Sequence, residues 1–513
     1  MKISVLRFFA SRIALLTLFV IPVSEAVASS PVISAAKSIV YTDSSQALGL
    51  NTSYSVVLGD VDGDGDLDKI VANFKQGNKV WLNDGYGNYT DSGQSLGGAK
   101  SRGVVIGDID GDLDLDLMFA DRTSLGIFKN DGTGTFSNTQ NVATADAVSL
   151  AAADVNGNGY LDIAVGNHAN GNRILTNNGS GVFTDSGQTL GAYSTWGITF
   201  GDVNGDGHQD LLAANISAAN KIYINNGAGV FTDSTQGLGA SNSYSIALAD
   251  VDGDGDSDLA VANSGANKVY TNDGSGNFID SGQSLGTSSS QSVYFADIDG
   301  DGDLDMAVAN TSNQSNKIWV NNGSGTFTES GQVLGASASI DIALGDIDAD
   351  GDLDIVSANS NQANKVWIND GVTLNSINYT EGDGEVAVNS TLGLAEDTDI
   401  TGATLQITGN YTTGQDVLGF VTQNGISVQS WNTTMGTLTL TGTTTATNYQ
   451  TALRSVTYEN NSDAPATAQR TVQVIATNSV AESNVGFDLL VNVAAVNDAP
   501  VISGTPATSV NED

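Results

Sequence analysis

Hydrophobic and polar positions repeat in one pattern from residue 39 to 371, and residues 245–282 show it plainly. SIALA (245–249) alternates, an acidic stretch follows, then LAVAN (259–263), a turn, NKVYTND (267–273), a Gly turn and NFIDSG (277–282). Short runs of Val, Ile, Tyr and Ala bounded by Gly, Asn and Asp predict strands, four to a unit. The acidic stretch is a nine-residue phrase that occurs seven times, from Asp60, Asp108, Asp154, Asp202, Asp250, Asp297 and Asp346. Successive starts are 48, 46, 48, 48, 47 and 49 residues apart. Four strands in a unit of this length match one propeller blade. The expected fold is therefore all-β, a seven-bladed β-propeller.

The fourth-strand phrase predicts how the ring closes. FTDSGQxLG recurs at Phe183–Gly191 and, with one change each, at Phe231–Gly239, Phe278–Gly286 and Phe327–Gly335, but it is missing after the seventh loop. A copy, YTDSSQALG (41–49), stands before the first loop instead. The N-terminal strand should complete the last blade, which removes two open sheet edges.

Beyond about Val372 the period is lost. Alternating stretches such as GTLTLTG (436–442) and RTVQVIA (470–476) predict a second β domain, a sandwich over 372–496. Residues 497–513 read as a linker and the start of a further repeat, as in a fragment of a longer array. At the other end, Lys2, Arg7 and Arg12 precede a short apolar run, Ile13 to Val23, and Ala26-Val27-Ala28. That is a signal peptide over 1–28, with the propeller domain spanning 29–371 of an exported chain.

Composition narrows the chemistry. The chain carries 58 acidic against 18 basic side chains, a net charge of -40, which disfavours nucleic acid and anionic membranes as partners. With no Cys and two His there are no disulfides, thiol nucleophiles or soft-metal sites. Hard cations on oxygen ligands remain.

The seven phrases hold 30 of the 58 acidic residues. Positions 1, 3, 5, 7 and 9 are Asp60, Asp62, Asp64, Asp66 and Asp68 in the first, and Asp108, Asp110, Asp112, Asp114 and Asp116 in the second. The third has Asp154, Asn156, Asn158, Tyr160 and Asp162, and the fourth Asp202, Asn204, Asp206, His208 and Asp210. The fifth has Asp250, Asp252, Asp254, Asp256 and Asp258. The sixth has Asp297, Asp299, Asp301, Asp303 and Asp305, and the seventh Asp346, Asp348, Asp350, Asp352 and Asp354. Alternate carboxylates on a tight turn supply the oxygens that calcium requires, and their mutual repulsion demands a cation. Position 7 tolerates Tyr and His, so it should offer its backbone carbonyl, whereas position 9 is always Asp. An EF-hand needs Glu at position 12, where the first loop has Val71, and helical flanks. The second loop has Leu113 where the others have Gly at position 6.

These DxDxDGxxD loops between strands resemble the FG-GAP (VCBS-type) repeats of integrin α-subunit propellers, over about residues 39–371. The resemblance implies calcium in the loop between a blade's first two strands and ligand binding on the opposite face. YTEGDGEVAV (379–388), ITGNYTTGQDVLGF (407–420) and YQTALRSVTYEN (449–460) resemble a bacterial cadherin-like or Ig-like repeat. The VNDAP junction is similar to calcium-binding linkers, with Glu381, Asp397, Asp399 and Asp498 as candidate ligands.

The residue six before each loop varies: Tyr54, Arg102, Val148, Trp196, Tyr244, Gln291 and Ile340. Variation within a uniform ring, away from the acidic loops, marks a recognition surface, with Tyr54, Arg102, Trp196 and Tyr244 as candidates. A basic residue starts most third strands (Lys79, Arg173, Lys221, Lys268, Lys317, Lys365) and reads as an inter-blade ion pair. His168 and His208 lack a nucleophile context, so catalysis is not expected. The expectation is a monomeric, calcium-binding surface protein that binds an extracellular protein. A calcium-dependent lectin is the alternative, with a propeller lyase or phosphatase behind it.

Overall fold

The computed structural model of the protein describes residues 32–35, 39–98, 100–239, 242–371, 376–389, 392–395, 399–481, 483–484 and 486–496. The signal-peptide segment, Asp397, Asp498 and the segment 497–513 lie outside the described residues. The chain falls into two compact units.

The first unit contains seven four-stranded antiparallel sheets. Its first blade runs β3 (Thr52–Gly59), β4 (Asp68–Phe74), β5 (Lys79–Asn83) and β6 (Tyr89–Asp91), and later blades repeat this order. The first strand of each blade touches the first strand of the next, and Ser339–Gly345 touches β3 again. The sheets therefore close into a β-propeller. First and second strands are buried on both faces because each sheet is stacked between two others; Asp162–Asn167 is buried throughout. That stacking explains why inner strands read as near-continuous apolar runs. Packing fills the gaps between blades: Val57, Ile70 and Val80 of the first meet Ile106, Leu117 and Phe128 of the second.

The closing strand is β2 (Tyr41–Asp43), which pairs antiparallel with Lys365–Asn369 as the outer strand of the seventh blade. The Tyr41 hydroxyl donates to the Leu353 carbonyl at 2.7 Å, and Lys365 Nζ meets Asp43 Oδ2 at 2.8 Å. Gln46 then reaches into the first blade, donating to the Gly87 carbonyl at 2.7 Å and accepting from Tyr89 N at 3.0 Å. Gln94, Gln188 and Gln283 latch their own blades to the next in the same way.

One ion-pair expectation is corrected. Lys79–Asp91, Arg173–Asp185, Lys221–Asp233, Lys268–Asp280, Lys317–Glu329 and Lys365–Asp43 each join third and fourth strands of a single blade. Cross-strand diagonal neighbours are closer than the next sheet, and such exposed pairs contribute little. The inter-blade role belongs to Asn. Asn130 Nδ2 donates to the Val61 carbonyl of the preceding blade at 2.7 Å, and Asn83, Asn177, Asn225, Asn272 and Asn321 repeat the bond.

The second unit holds a six-stranded and a three-stranded sheet around one core that includes Leu405, Leu438, Tyr458 and Val474. A helix, α1 (Ala446–Arg454), capped by Thr445, stands within a domain expected to be all-β. A buried pair, Arg470–Asp416, is completed by Tyr458 and Asn460, which both donate to Asp416. β1 (Val32–Ala35) pairs with Leu392–Ala395 and so belongs to this unit, not to the propeller domain expected over 29–371.

Candidate metal centre and the opposite rim

Each acidic loop joins the first two strands of a blade, and its turn is built by its own first and last carboxylates. Asp60 accepts from the N–H groups of Gly63 (2.7 Å) and Gly65 (3.0 Å). Asp68, at position 9, accepts from Val61 N at 3.0 Å and from Asn83 N of β5 at 2.8 Å. Asp116, Asp162, Asp210, Asp258, Asp305 and Asp354 make the same pair of bonds. The invariant ninth Asp thus ties loop to third strand through its own hydrogen bonds.

Three carboxylates converge in five loops: Asp60, Asp62 and Asp68; Asp108, Asp110 and Asp116; Asp250, Asp252 and Asp254; Asp297, Asp299 and Asp305; Asp346, Asp348 and Asp354. In each group the ligand atoms lie within 4.8 Å of one another. Four of these loops leave a buried carboxylate oxygen with no hydrogen-bond partner, namely Asp62, Asp110, Asp297 and Asp348 Oδ1. A buried anionic oxygen without a donor is costly, and a hard divalent cation is the partner that fits an all-oxygen set. Burial pushes Asp68 up to about 7 and Asp354 to about 8, which a bound cation would reverse.

The other predicted ligands are placed differently. Position 7 stands apart from these groups: Asp66, Asp114, Tyr160, His208, Asp256 and Asp303 each lie against a glycine of the third-to-fourth-strand turn. Tyr160, for example, covers Gly179, and His208 covers Gly227. Asp64, Asp112 and Asp350 accept from the position-7 N–H of their own loops. In the third loop Asn156 Nδ2 donates to Asp162 Oδ2 at 2.8 Å, so an amide stands where a cation would. In the fourth, Asn204 donates to Asp206 at 3.1 Å. Glu381 and Asp399 join no carboxylate group among the described residues.

Two features were missed in the sequence. Lys129 Nζ sits 2.6 Å from Asp110 Oδ2 in the second loop. Burial raises the Asp110 carboxyl, yet the Lys129 bond and charge outweigh it and hold the group below its usual range. The signal was a lysine where other blades have Leu82, Thr176 or Ile224. In the seventh loop Ala349 takes φ 63° at position 4, where Gly63 has φ 79°, so this site carries strain of its own. Leu113 is held at φ 74° and is 88% exposed.

Asp60→Ala and Asp154→Ala therefore form a matched pair. Both remove the turn bonds of the first position: Asp154 accepts from Gly157 and Gly159 as Asp60 does from its glycines, and also from the N–H groups of Asn156 and Asn158. In calcium, Asp60→Ala should lose about 2–3 kcal/mol more than Asp154→Ala, the value of one saturated site. In chelator Asp60→Ala should lose no more than Asp154→Ala, which gives up two further backbone bonds. Urea melts of both variants in both buffers decide it; equal losses in calcium refute a metal at the first loop.

The opposite end of the inner strands has its own device. In all seven blades the residue six before the loop is the extra residue of a β-bulge, as at Tyr54 between paired Ser53 and Ser55. A bulge re-aims the side chain it carries. The preceding hydroxyl pins it: Ser53 Oγ donates to Asn73 at 2.9 Å, and Thr195 to Asn215 at 2.8 Å. The re-aimed side chains meet. The Arg102 guanidinium lies 5.8 Å from the Tyr54 ring, 5.6 Å from Phe74 and 5.6 Å from Trp196. Trp196 meets Tyr244 edge-on at 5.7 Å and His168 at 5.8 Å. The four predicted recognition residues thus form one cluster.

The FG-GAP-like repeat matches residues 60–119, 108–165, 154–213, 202–261, 250–308 and 297–357, each match running from one acidic loop through the next. Together they cover more than half of the chain. The chain belongs to the FG-GAP-like repeat family. A 97-residue stretch of this FG-GAP protein is 37% identical to halomucin of Haloquadratum walsbyi. That stretch is 18% of this chain and 1% of halomucin, so the match spans a very small part of the relative's length. Crystal structures of BBS1N in complex with ARL6DN, soaked with lead or mercury, are similar at 13% and 14% identity. Their TM-scores are 0.47 and 0.46, covering 65% and 64% of this chain and 97% and 96% of the solved ones.

Proposed function

We propose that this FG-GAP protein is an exported, calcium-stabilised surface protein that acts by binding rather than catalysis, adhering through the propeller end opposite its acidic loops. The observation that carries the calcium reading is the set of buried, partnerless carboxylate oxygens at Asp62, Asp110, Asp297 and Asp348. Calcium there would neutralise the converging carboxylates and cross-link loop to third strand, leaving the other rim for recognition. The basic and apolar residues at 2–28 and the halomucin match support export to the cell surface. No described helix is long and apolar enough to cross a membrane. Residues 372–496 serve as a cadherin-like or Ig-like stalk in this reading, and the propeller acts as a monomer.

A second reading, a calcium-dependent lectin, is favoured by the single cluster of Tyr54, Trp196 and Tyr244, since aromatic faces are good platforms for sugars. Labelled protein applied in calcium to parallel glycan and extracellular-protein arrays separates the two. Selective retention on either surface, lost in chelator, is expected; absence of retention on both refutes adhesion by this chain.

A further inference from the structure

The geometry points to a binding site for an acidic sugar at the bulged rim, with Arg102 taking the carboxylate and Trp196 and Tyr244 taking the ring face. The inference rests on the reading of that rim as the recognition end. It adds the chemistry of the ligand.

Arg102 differs from most of the propeller's cations. Lys79, Lys129, Arg173 and Lys317 all sit on carboxylates. In a chain with 58 acidic residues, Arg102 forms no ion pair with any described one. Its Nε is buried without a hydrogen-bond partner, and so is Trp196 Nε1 in the same cluster. Guanidinium and indole N–H are donors only, so their missing complement is an acceptor-only group. A carboxylate is that group, and Arg binds it with a planar fork. The site is also preorganised. The rings of Tyr54, Phe74 and Trp196 all lie within 5.8 Å of the guanidinium, and the bulges are pinned by hydroxyl–Asn bonds beside Tyr54 and Trp196 and by Ser101 donating to Asp121 beside Arg102.

Around this donor pair the lining is aromatic, with Tyr54, Phe74 and Tyr244 about it. One carboxylate on a ring with apolar C–H faces and hydroxyl edges matches that lining, which describes a hexuronate. An acidic peptide matches it less well, because it brings several charges towards a protein of net charge -40.

Methyl glucuronide and methyl glucoside differ only in the carboxylate, so they are the probes. With the full chain in millimolar calcium, saturation-transfer NMR and calorimetry should show the glucuronide binding at least about tenfold more tightly than the glucoside, the factor expected for a charged hydrogen bond. Arg102→Gln should bring the glucuronide down to the level of the glucoside. Arg102→Lys, which keeps a cation on the aromatic faces, should fall between. Trp196→Phe, which keeps a ring face but removes the indole donor, should weaken the glucuronide more than the glucoside. Equal binding of the two glycosides, no binding of the glucuronide, or loss of preference in none of the Arg102 variants overturns the proposal. So does Arg102-dependent binding of a glutamate-rich peptide without binding of the glucuronide. Melting the same samples with and without calcium tests the calcium reading separately, because calcium-dependent stability without glucuronide binding sinks only the sugar.

Discussion

In chelator the propeller should melt roughly 20 °C lower than in millimolar calcium. A site held at a hundredfold excess over its Kd contributes about 2.7 kcal/mol. Five converging carboxylate groups at that value reach the whole stability of an ordinary domain, about 5–15 kcal/mol. At about 1.5 °C per kcal/mol for a unit of this size, the shift follows. Magnesium should restore little of it, because it demands compact octahedral geometry and keeps its waters. The pH dependence should invert with the ion. Without metal, burial raises Asp116, Asp162, Asp210 and Asp258 to about 6, Asp68 to about 7 and Asp354 to about 8. These folded values lie above the unfolded one near 3.9, so the protonated groups favour the native state. That contribution is fully present below about pH 4 and is lost as pH rises through 6–8. The chelated protein should therefore melt lower at pH 8 than at pH 5. Calcium competes with those protons and binds better across the same window, so the gap between the two curves should widen. Scanning calorimetry from pH 5 to 8 in both buffers measures this, and a gap that stays constant or absent sinks the calcium reading.

The ring was legible because each blade is one supersecondary unit that must bury both faces of its inner strands against copies of itself, which forces the repeat into the sequence. The acidic loops were legible for the same reason, as spacing. What the spacing could not show was competition from neighbours. Lys129 comes from the third strand of its blade, and only the fold brings it to Asp110. Asn156 looked like a weaker ligand, but its amide nitrogen makes it a substitute for the ion. Ala349 lies at the fourth position, where a positive φ is required as much as at the sixth. The bulges are invisible in principle, since an extra residue on one strand appears only when its partner is placed. The variability of those positions singled them out in the sequence, and the fold gathers four of them into one cluster. β1 misled for a related reason: it adjoins the propeller in sequence, but its hydrogen bonds go to Leu392–Ala395.

Removing the displaced strand should break the ring. A chain of residues 39–371 should fold alone, with a cooperative melt in calcium, because it retains β2 and every blade-to-blade contact made by Gln46. A chain of residues 51–371 lacks Tyr41 and Leu48, both buried in the seam of the last blade. Burying two such side chains stabilises by about 3–6 kcal/mol. Their loss also exposes the edge of Lys365–Asn369, strands the Lys365 cation and removes the Gln46 latch onto Tyr89. A newly opened edge next to apolar blade faces is a template for association, so the shorter chain should aggregate or elute as oligomers. A peptide of residues 39–50 added in excess should restore the monomer and its calcium-dependent melt, since the strand is held by pairing and packing and needs no covalent continuity. Light scattering and calorimetry of the two chains, with and without the peptide, provide the comparison. If both behave as equally stable monomers, β2 is a passenger on the seventh blade and the ring closes through its inner strands alone.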